Sequence, residues 1–136
     1  MAETIQADLC IIGAGAGGLS LAAGASLMGA TVVLIERGAM GGDCLHYGCV
    51  PSKALLAAAA QAAAWRGGAD FGLASSTPTL TPAVDFAQVR AHVSGVVAGI
   101  APQDSRARFE ALGVRVIAGQ ARFTAPDRVE AAGLAI

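Results

Sequence analysis

The stretch ADLCIIGAGAGGLSLAAGASLMGATVVLIERG, residues 7 to 38, constrains the fold more than any other part of the chain. Leu9 to Ile12 form an almost wholly apolar run, the pattern of a strand buried on both faces of a parallel sheet. Gly13-Ala-Gly15-Ala-Gly-Gly18 then spells G-x-G-x-x-G, and a helix-like LSLAAGASLMG and a second apolar run, TVVLIE, follow it. Strand, turn, helix and strand stand in the order of a βαβ unit, so the chain is expected to be α/β with an open parallel sheet. Each glycine answers a physical need. Gly13 permits a tight turn, Gly15 lets backbone approach a pyrophosphate, and Gly18 lets helix pack closely on strand. The helix N-terminus offers unpaired N–H groups to that pyrophosphate. Glu36 closes the second strand near the roughly 20-residue offset at which an acid reaches a ribose hydroxyl. The combination predicts an adenine dinucleotide site at Gly13, Gly15, Gly18 and Glu36, without distinguishing NAD from FAD. The alternative is a glycine-rich turn in an unrelated α/β protein, with Glu36 merely solvated.

A second feature is GGDCLHYGCVPSK, residues 41 to 53, which places two of the three cysteines within six positions. An exposed thiol is reactive, so a clustered pair usually has a chemical reason. The 136 residues fit one modest domain with a real core. With a net charge of -1 and its nine Lys and Arg scattered, the chain presents neither a nucleic-acid surface nor a polybasic membrane patch. Only 14% of residues are charged, against roughly 25% in an average soluble domain, so part of the surface is expected to be covered. No membrane span is expected: the block Ala54 to Trp65 is shorter than the roughly 20 residues required, and Gln61 interrupts it. Glu3 and Asp8, with no basic residue before the first apolar run, give the wrong polarity for a signal peptide, and a cytoplasmic location is expected. In that reducing compartment a cysteine pair is more often catalytic or metal-binding than a structural staple. Cys44, His46 and Cys49 could ligate a metal, but a closed zinc site wants four ligands and only His92 remains as an obvious fourth, so no metal is expected.

GGDCLHYGCVPSKALL closely resembles the redox-disulfide signature of the pyridine nucleotide-disulfide oxidoreductases, flavoproteins that include dihydrolipoamide dehydrogenase, glutathione reductase and mercuric reductase. In that family, too, the pair directly follows an N-terminal FAD-binding βαβ unit. Asp43 and Tyr47 resemble the mercuric reductase and dihydrolipoamide dehydrogenase branch, while His46 stands where Asn is usual. The resemblance implies a Rossmann-like open parallel sheet and FAD as cofactor, with Arg37, Gly42 and Ala121 added to its contacts. It implies that Cys49 is the thiol lying against the flavin ring, that Cys44 exchanges with substrate through a mixed disulfide, and that Lys53 stands beside the flavin N5. NAD(P)H would be the electron partner, a small-molecule dithiol, disulfide or mercuric ion the substrate, and a homodimer the complete enzyme.

On an ideal helix, residues five apart point about 140° away from each other, so joining Cys44 to Cys49 requires a bend. Gly48 offers the backbone freedom for one, and Pro51 disfavours helix at Val50 while suiting the start of the helix that follows.

The rest of the chain continues the same plan. KALLAAAAQAAAWRGGADFG reads as an alanine-rich helix ending near Gly67-Gly68 and buried against neighbouring helices, SSTPTLTP as a surface loop, and VDFAQVRAHVSGVVAGI as a helix with Phe86, Val89, Val93, Val96 and Val97 at helical spacing. His92 reads as a surface or packing histidine and Cys10 as a small buried hydrophobe. FEALGVRVIAGQARF reads as a helix end at Gly113 and a third strand, and TAPDRVEAAGLAI resembles the opening of the family's β-meander. Residues 1–136 thus resemble a partial FAD/NAD(P)-binding domain carrying the redox segment 41–53. The nicotinamide domain, and the dimerisation domain with its His-Glu acid/base pair, are absent from this stretch. The second reading is a non-catalytic FAD-binding fragment, and the third a thiol-based metal-binding module.

Overall fold

The computed structural model describes residues 4–72 and 83–136. The first strand, β1 (Leu9–Ile12), leads through the glycine-rich turn into α1 (Ala16–Leu27) and back into β2 (Val32–Glu36), which lies parallel to β1 with Cys10 opposite Val33 and Ile12 opposite Ile35. Two helices follow in close succession, α2 (Gly42–His46) and α3 (Cys49–Gly67). After α4 (Phe86–Ile100) and α5 (Arg106–Ala111), β3 (Arg115–Ala118) joins β2 in parallel, giving the order β1-β2-β3. Three short strands, β4 (Arg122–Ala125), β5 (Arg128–Ala131) and β6 (Leu134–Ala135), then form an antiparallel meander. The chain is therefore α/β with the Rossmann-like parallel sheet and meander that its sequence predicts.

The alternation of side chains along β2 explains how the layers assemble, because successive residues of a strand face opposite sides. Val32 and Leu34 point into a core with Ile11, Leu19, Ala22, Phe109 and Val116, supplied by α1, α5 and the flanking strands. Val33 and Ile35 point the other way, toward Ile117, Val129 and Ala131. The meander, rather than a helix, covers that second face, and β2 is buried on both sides as its unbroken apolar run requires. Cys10 faces the meander side and is half-buried rather than fully buried, because it lies on β1 at the margin of that cluster. Its thiol is nevertheless pushed up from the usual range by burial.

The alanine-rich helix departs from expectation. Its main neighbours are α2 and α4, Ala54 is its one buried residue, and Leu55, Leu56 and Trp65 are exposed. Alanine has too little side-chain volume to reach a distant layer, so a helix that leans on two partners leaves its other faces in solvent. The expected α4 stripe is half-buried at Val89, Val93, Val96 and Val97, while Phe86 is exposed at the helix start, as is His92. The loop expected at residues 75–82 lies outside the described residues. Among the described residues no helix is long and apolar enough to cross a membrane.

Asp85 caps α4, its Oδ1 accepting from the N–H groups of Ala87 at 2.8 Å and Gln88 at 3.2 Å. Asp85→Ala leaves these first-turn donors without that partner and is expected to cost about 1 kcal/mol, read as a lowered denaturation midpoint at unchanged slope.

Candidate flavin and dithiol site

The glycine-rich turn lies at the carboxyl ends of the parallel strands, where open α/β sheets bind ligands. Gly13 continues the sheet ladder, donating its N–H to the Ile35 carbonyl at 2.8 Å, and turns the chain at a φ of 101° that favours glycine. At Gly18 a side chain is excluded outright: a Cβ would stand 1.9 Å from the Gly13 carbonyl oxygen. Gly15 differs, since a Cβ there meets nothing within 4 Å and would project into open space. It precedes α1 with no side-chain cap, so the first-turn N–H groups keep no side-chain partner at that end.

Glu36 ties the end of β2 to this turn. Its Oε2 accepts from Ala14 N–H and its Oε1 from Gly38 N–H, both at 2.6 Å. A carboxylate has about four lone-pair sites, so two remain for hydroxyl donors.

The cysteine-bearing segment, residues 41–53, docks on the same turn. Gly41 N–H donates to the Ala14 carbonyl at 2.9 Å, and Gly42 approaches so closely that a Cβ would lie 2.7 Å from the Gly15 Cα. Ala14, fully buried, thus receives one element through its N–H and another through its carbonyl. Its contribution is entirely main-chain, so residue type gives no hint of it. Leu45, 2% exposed, anchors α2 from below. His46 Nε2 lies 2.9 Å from the Met40 carbonyl; a carbonyl can only accept, which places the imidazole proton on Nε2.

The bend between the cysteines falls at Tyr47 and Gly48. Cys44 belongs to α2, Cys49 is the first residue of α3, and Gly48 between them sits so near Asp43 that a Cβ would be 3.0 Å from the Asp43 carbonyl oxygen. Pro51 falls in the first turn of α3, where its missing N–H breaks no helical bond. The bend sets the two thiols near enough for each to shift the other's titration. Hydrogen bonding from Cys44, and then the Lys53 ammonium and the Cys49 backbone N–H, hold the Cys49 thiol below the usual range. Cys44 is pushed up by the same hydrogen bond, by burial and by the neighbouring Cys49 charge. Of the two, Cys49 is therefore the thiol that ionises more readily. Cys49 is exposed and Cys44 half-buried.

A cleft of about 550 Å³ opens between these elements, within the size range of ligand sites. Of the residues expected to bind a cofactor, Gly13, Glu36, Arg37, Gly42 and Ala121 line it, together with Asp43, His46 and Tyr47, which the residue patterns alone did not assign to it. Gly15 and Gly18 do not line it, and neither do Cys44, Cys49 and Lys53, which cluster at the α2–α3 junction. Among the described residues no group of three His, Cys, Asp or Glu side chains could hold a metal ion.

Comparison with known proteins places this arrangement. The family model for pyridine nucleotide-disulphide oxidoreductases matches residues 7–135. Among curated proteins, the chain is 35% identical over 131 residues to a mercuric reductase of Staphylococcus aureus, covering 93% of this chain and 22% of that protein. It is 37% identical over 125 residues to a dihydrolipoyl dehydrogenase of Haloferax volcanii, covering 92% of this chain and 25% of the relative. A mercuric reductase of Streptomyces lividans is 60% identical over 52 residues, 38% of this chain and 11% of that protein. The chain spans about a quarter of the length of the first two relatives. With a match that runs through both the glycine-rich turn and the cysteine pair, the chain belongs to the pyridine nucleotide-disulphide oxidoreductase family of oxidoreductases.

Proposed function

We propose that this chain binds FAD at the glycine-rich turn and cleft and that Cys44 and Cys49 form a dithiol/disulfide pair serving electron transfer between that flavin and a small-molecule substrate. The observation that carries the reading is the docking of the redox segment on the turn, through the Gly41–Ala14 hydrogen bond and the Gly42–Gly15 approach. It joins the glycine-rich turn and the cysteine pair on one continuous stretch of backbone.

The residues present fit the cofactor. Gly13, Gly15 and Gly18 would shape the pyrophosphate cradle, and the uncapped start of α1 would give it N–H donors. Glu36 would accept ribose hydroxyls on its free lone pairs, with Arg37, Gly42 and Ala121 lining the cleft. Lys53 would contribute positive charge beside the thiolate. Bound FAD would supply a two-electron carrier to the pair.

The named activities of the relatives, mercuric reductase and dihydrolipoyl dehydrogenase, favour mercuric ion or a small dithiol as substrate. In the same proposal the whole protein takes NAD(P)H as electron partner and acts as a homodimer.

The test is flavin retention. Gly15→Val places a branched side chain in space that is open in the fold, so the variant is expected to keep the parent's circular dichroism and lose FAD when both are reconstituted and desalted. Equal flavin in the folded variant would remove the basis for the site.

A further inference from the structure

We propose that the cavity between α1 and the start of α5 is a binding site for a small zwitterion, a free α-amino acid with an apolar side chain. The cavity shares no residue with the cleft at the glycine-rich turn, so this inference does not rest on the flavin reading.

The cavity, of about 330 Å³, follows from what the sequence places on two elements that share one core. Ala16, Leu19, Ser20 and Ala23 recur on α1 at the spacing of one helix face, and alanine at two of these positions leaves room that larger side chains would fill. Leu19 and Phe109, both buried, give the cavity an apolar floor. Asp104 and Arg108 add opposite charges to the same lining.

These two charges do not neutralise each other. Arg106 and Glu110, four residues apart in the same region, pair at 2.6 Å, whereas Asp104 and Arg108, at the same separation, do not. The difference lies in Ser105, which is extended at a ψ of 150° and ends the short helical turn Ala101–Asp104 before α5 begins, so Asp104 and Arg108 do not share a helix face. Ser105 also fixes the turn: its Oγ donates to the Pro102 carbonyl at 2.8 Å and accepts from Arg108 N–H at 3.3 Å. The Arg108 side chain is held as well, with Nη1 donating to the Gln103 carbonyl at 2.6 Å and Cζ standing 5.3 Å from the centre of the Phe109 ring. A guanidinium has five N–H donors, so most of its capacity is unspent. The half-buried Asp104 carboxylate has no hydrogen-bond or ion-pair partner among the described residues.

Each feature selects part of the ligand. A carboxylate suits the planar fork of Arg108, which is already held in place and loses little freedom on pairing. An ammonium suits the unpartnered Asp104. The Ser20 hydroxyl gives its proton to the Ala16 carbonyl at 2.8 Å and so offers only lone pairs to that donor. An apolar side chain rests against Leu19, Ala23 and Phe109. A simple anion would leave Asp104 facing it and a simple cation would face Arg108, so only a molecule carrying both charges satisfies the whole lining.

The experiment titrates the chain with L-leucine, and in parallel with isocaproate and isoamylamine, which lack its ammonium and its carboxylate respectively, following backbone amide resonances by NMR. Expected are saturable shifts at Ser20, Ala23 and Arg108, with leucine bound at least about tenfold more tightly than either single-charge analogue. This comparison uses the unmutated chain and needs no variant to fold. Asp104→Asn and Arg108→Gln should each weaken leucine by about tenfold or more, with circular dichroism confirming that the fold is kept, while Arg90→Gln on α4, outside both cavities, leaves binding unchanged. No saturable shift with leucine, or isocaproate bound as tightly as leucine, overturns the proposal. Shifts confined to Gly13, Gly42 and His46 would place leucine in the cofactor cleft and overturn it equally. Failure of flavin retention leaves each of these outcomes as it stands, because the two sites have no residue in common.

Discussion

Gly18→Val is expected to prevent the chain from folding. The new Cβ would stand 1.9 Å from the Gly13 carbonyl oxygen and 3.3 Å from Ile11 Cγ2. The first of these is a backbone atom in a turn already fixed by the Gly13–Ile35 hydrogen bond, so no rotamer change relieves the overlap. Helix α1 would have to lift from β1, withdrawing Leu19 and Ala22 from the core they share with Val32 and Leu34. A cost of more than about 4 kcal/mol follows, against about 5–15 kcal/mol for a whole domain.

The neighbouring glycine supplies the control. A Cβ at Gly17 meets nothing within 4 Å and lies in the helix, so Gly17→Ala is expected to be neutral or stabilising by up to about 1 kcal/mol. Chemical denaturation of the two variants measures both effects; a Gly18→Val chain unfolding at the parental midpoint would show that α1 does not pack on β1 through Gly18.

The contrast among Gly15, Gly17 and Gly18 also shows what a motif can convey. G-x-G-x-x-G with its flanking apolar runs located β1, α1 and β2 closely, because a turn that needs positive φ and a helix that needs backbone contact both leave glycine as a visible mark. The cysteine spacing likewise led to a bend, and the bend lies at the glycine before Cys49. Other features had no such mark. Ala14 joins Glu36 and Gly41 through main-chain atoms, which every residue has. The exposure of α3 depends on which elements reach it, and an unbroken run of alanine carries no periodic signal to say which face is covered. That the meander, not a helix, closes the second face of the sheet was equally hidden, since its short strands declare their pairing with one another but not the layer they pack on.

The second large effect lies at the thiolate, in the chain loaded with FAD and reduced by two electrons. Cys49→Ser is expected to eliminate the long-wavelength absorbance that a thiolate against oxidised flavin produces, while Cys44→Ser preserves it. The reason is the asymmetry of the pair: Cys49 is the thiol held low, first by hydrogen bonding from Cys44 and then by Lys53, and Cys44 the one held high. A serine at position 44 still donates a hydrogen bond, so the anion on Cys49 persists. A serine at position 49 leaves no thiolate there to donate charge.

The pH dependence follows with a definite sign. Because Cys49 titrates below an ordinary thiol, the band persists to lower pH than such a thiol would allow and fades as pH falls through that lowered value. Cys44→Ala removes the donor, so the fading should move to higher pH, and Lys53→Met should move it the same way by removing the cation. Titration of the band in the parent and these two variants checks both shifts. A band that survives Cys49→Ser and vanishes in Cys44→Ser inverts the two roles, and one indifferent to both substitutions uncouples the pair from the flavin.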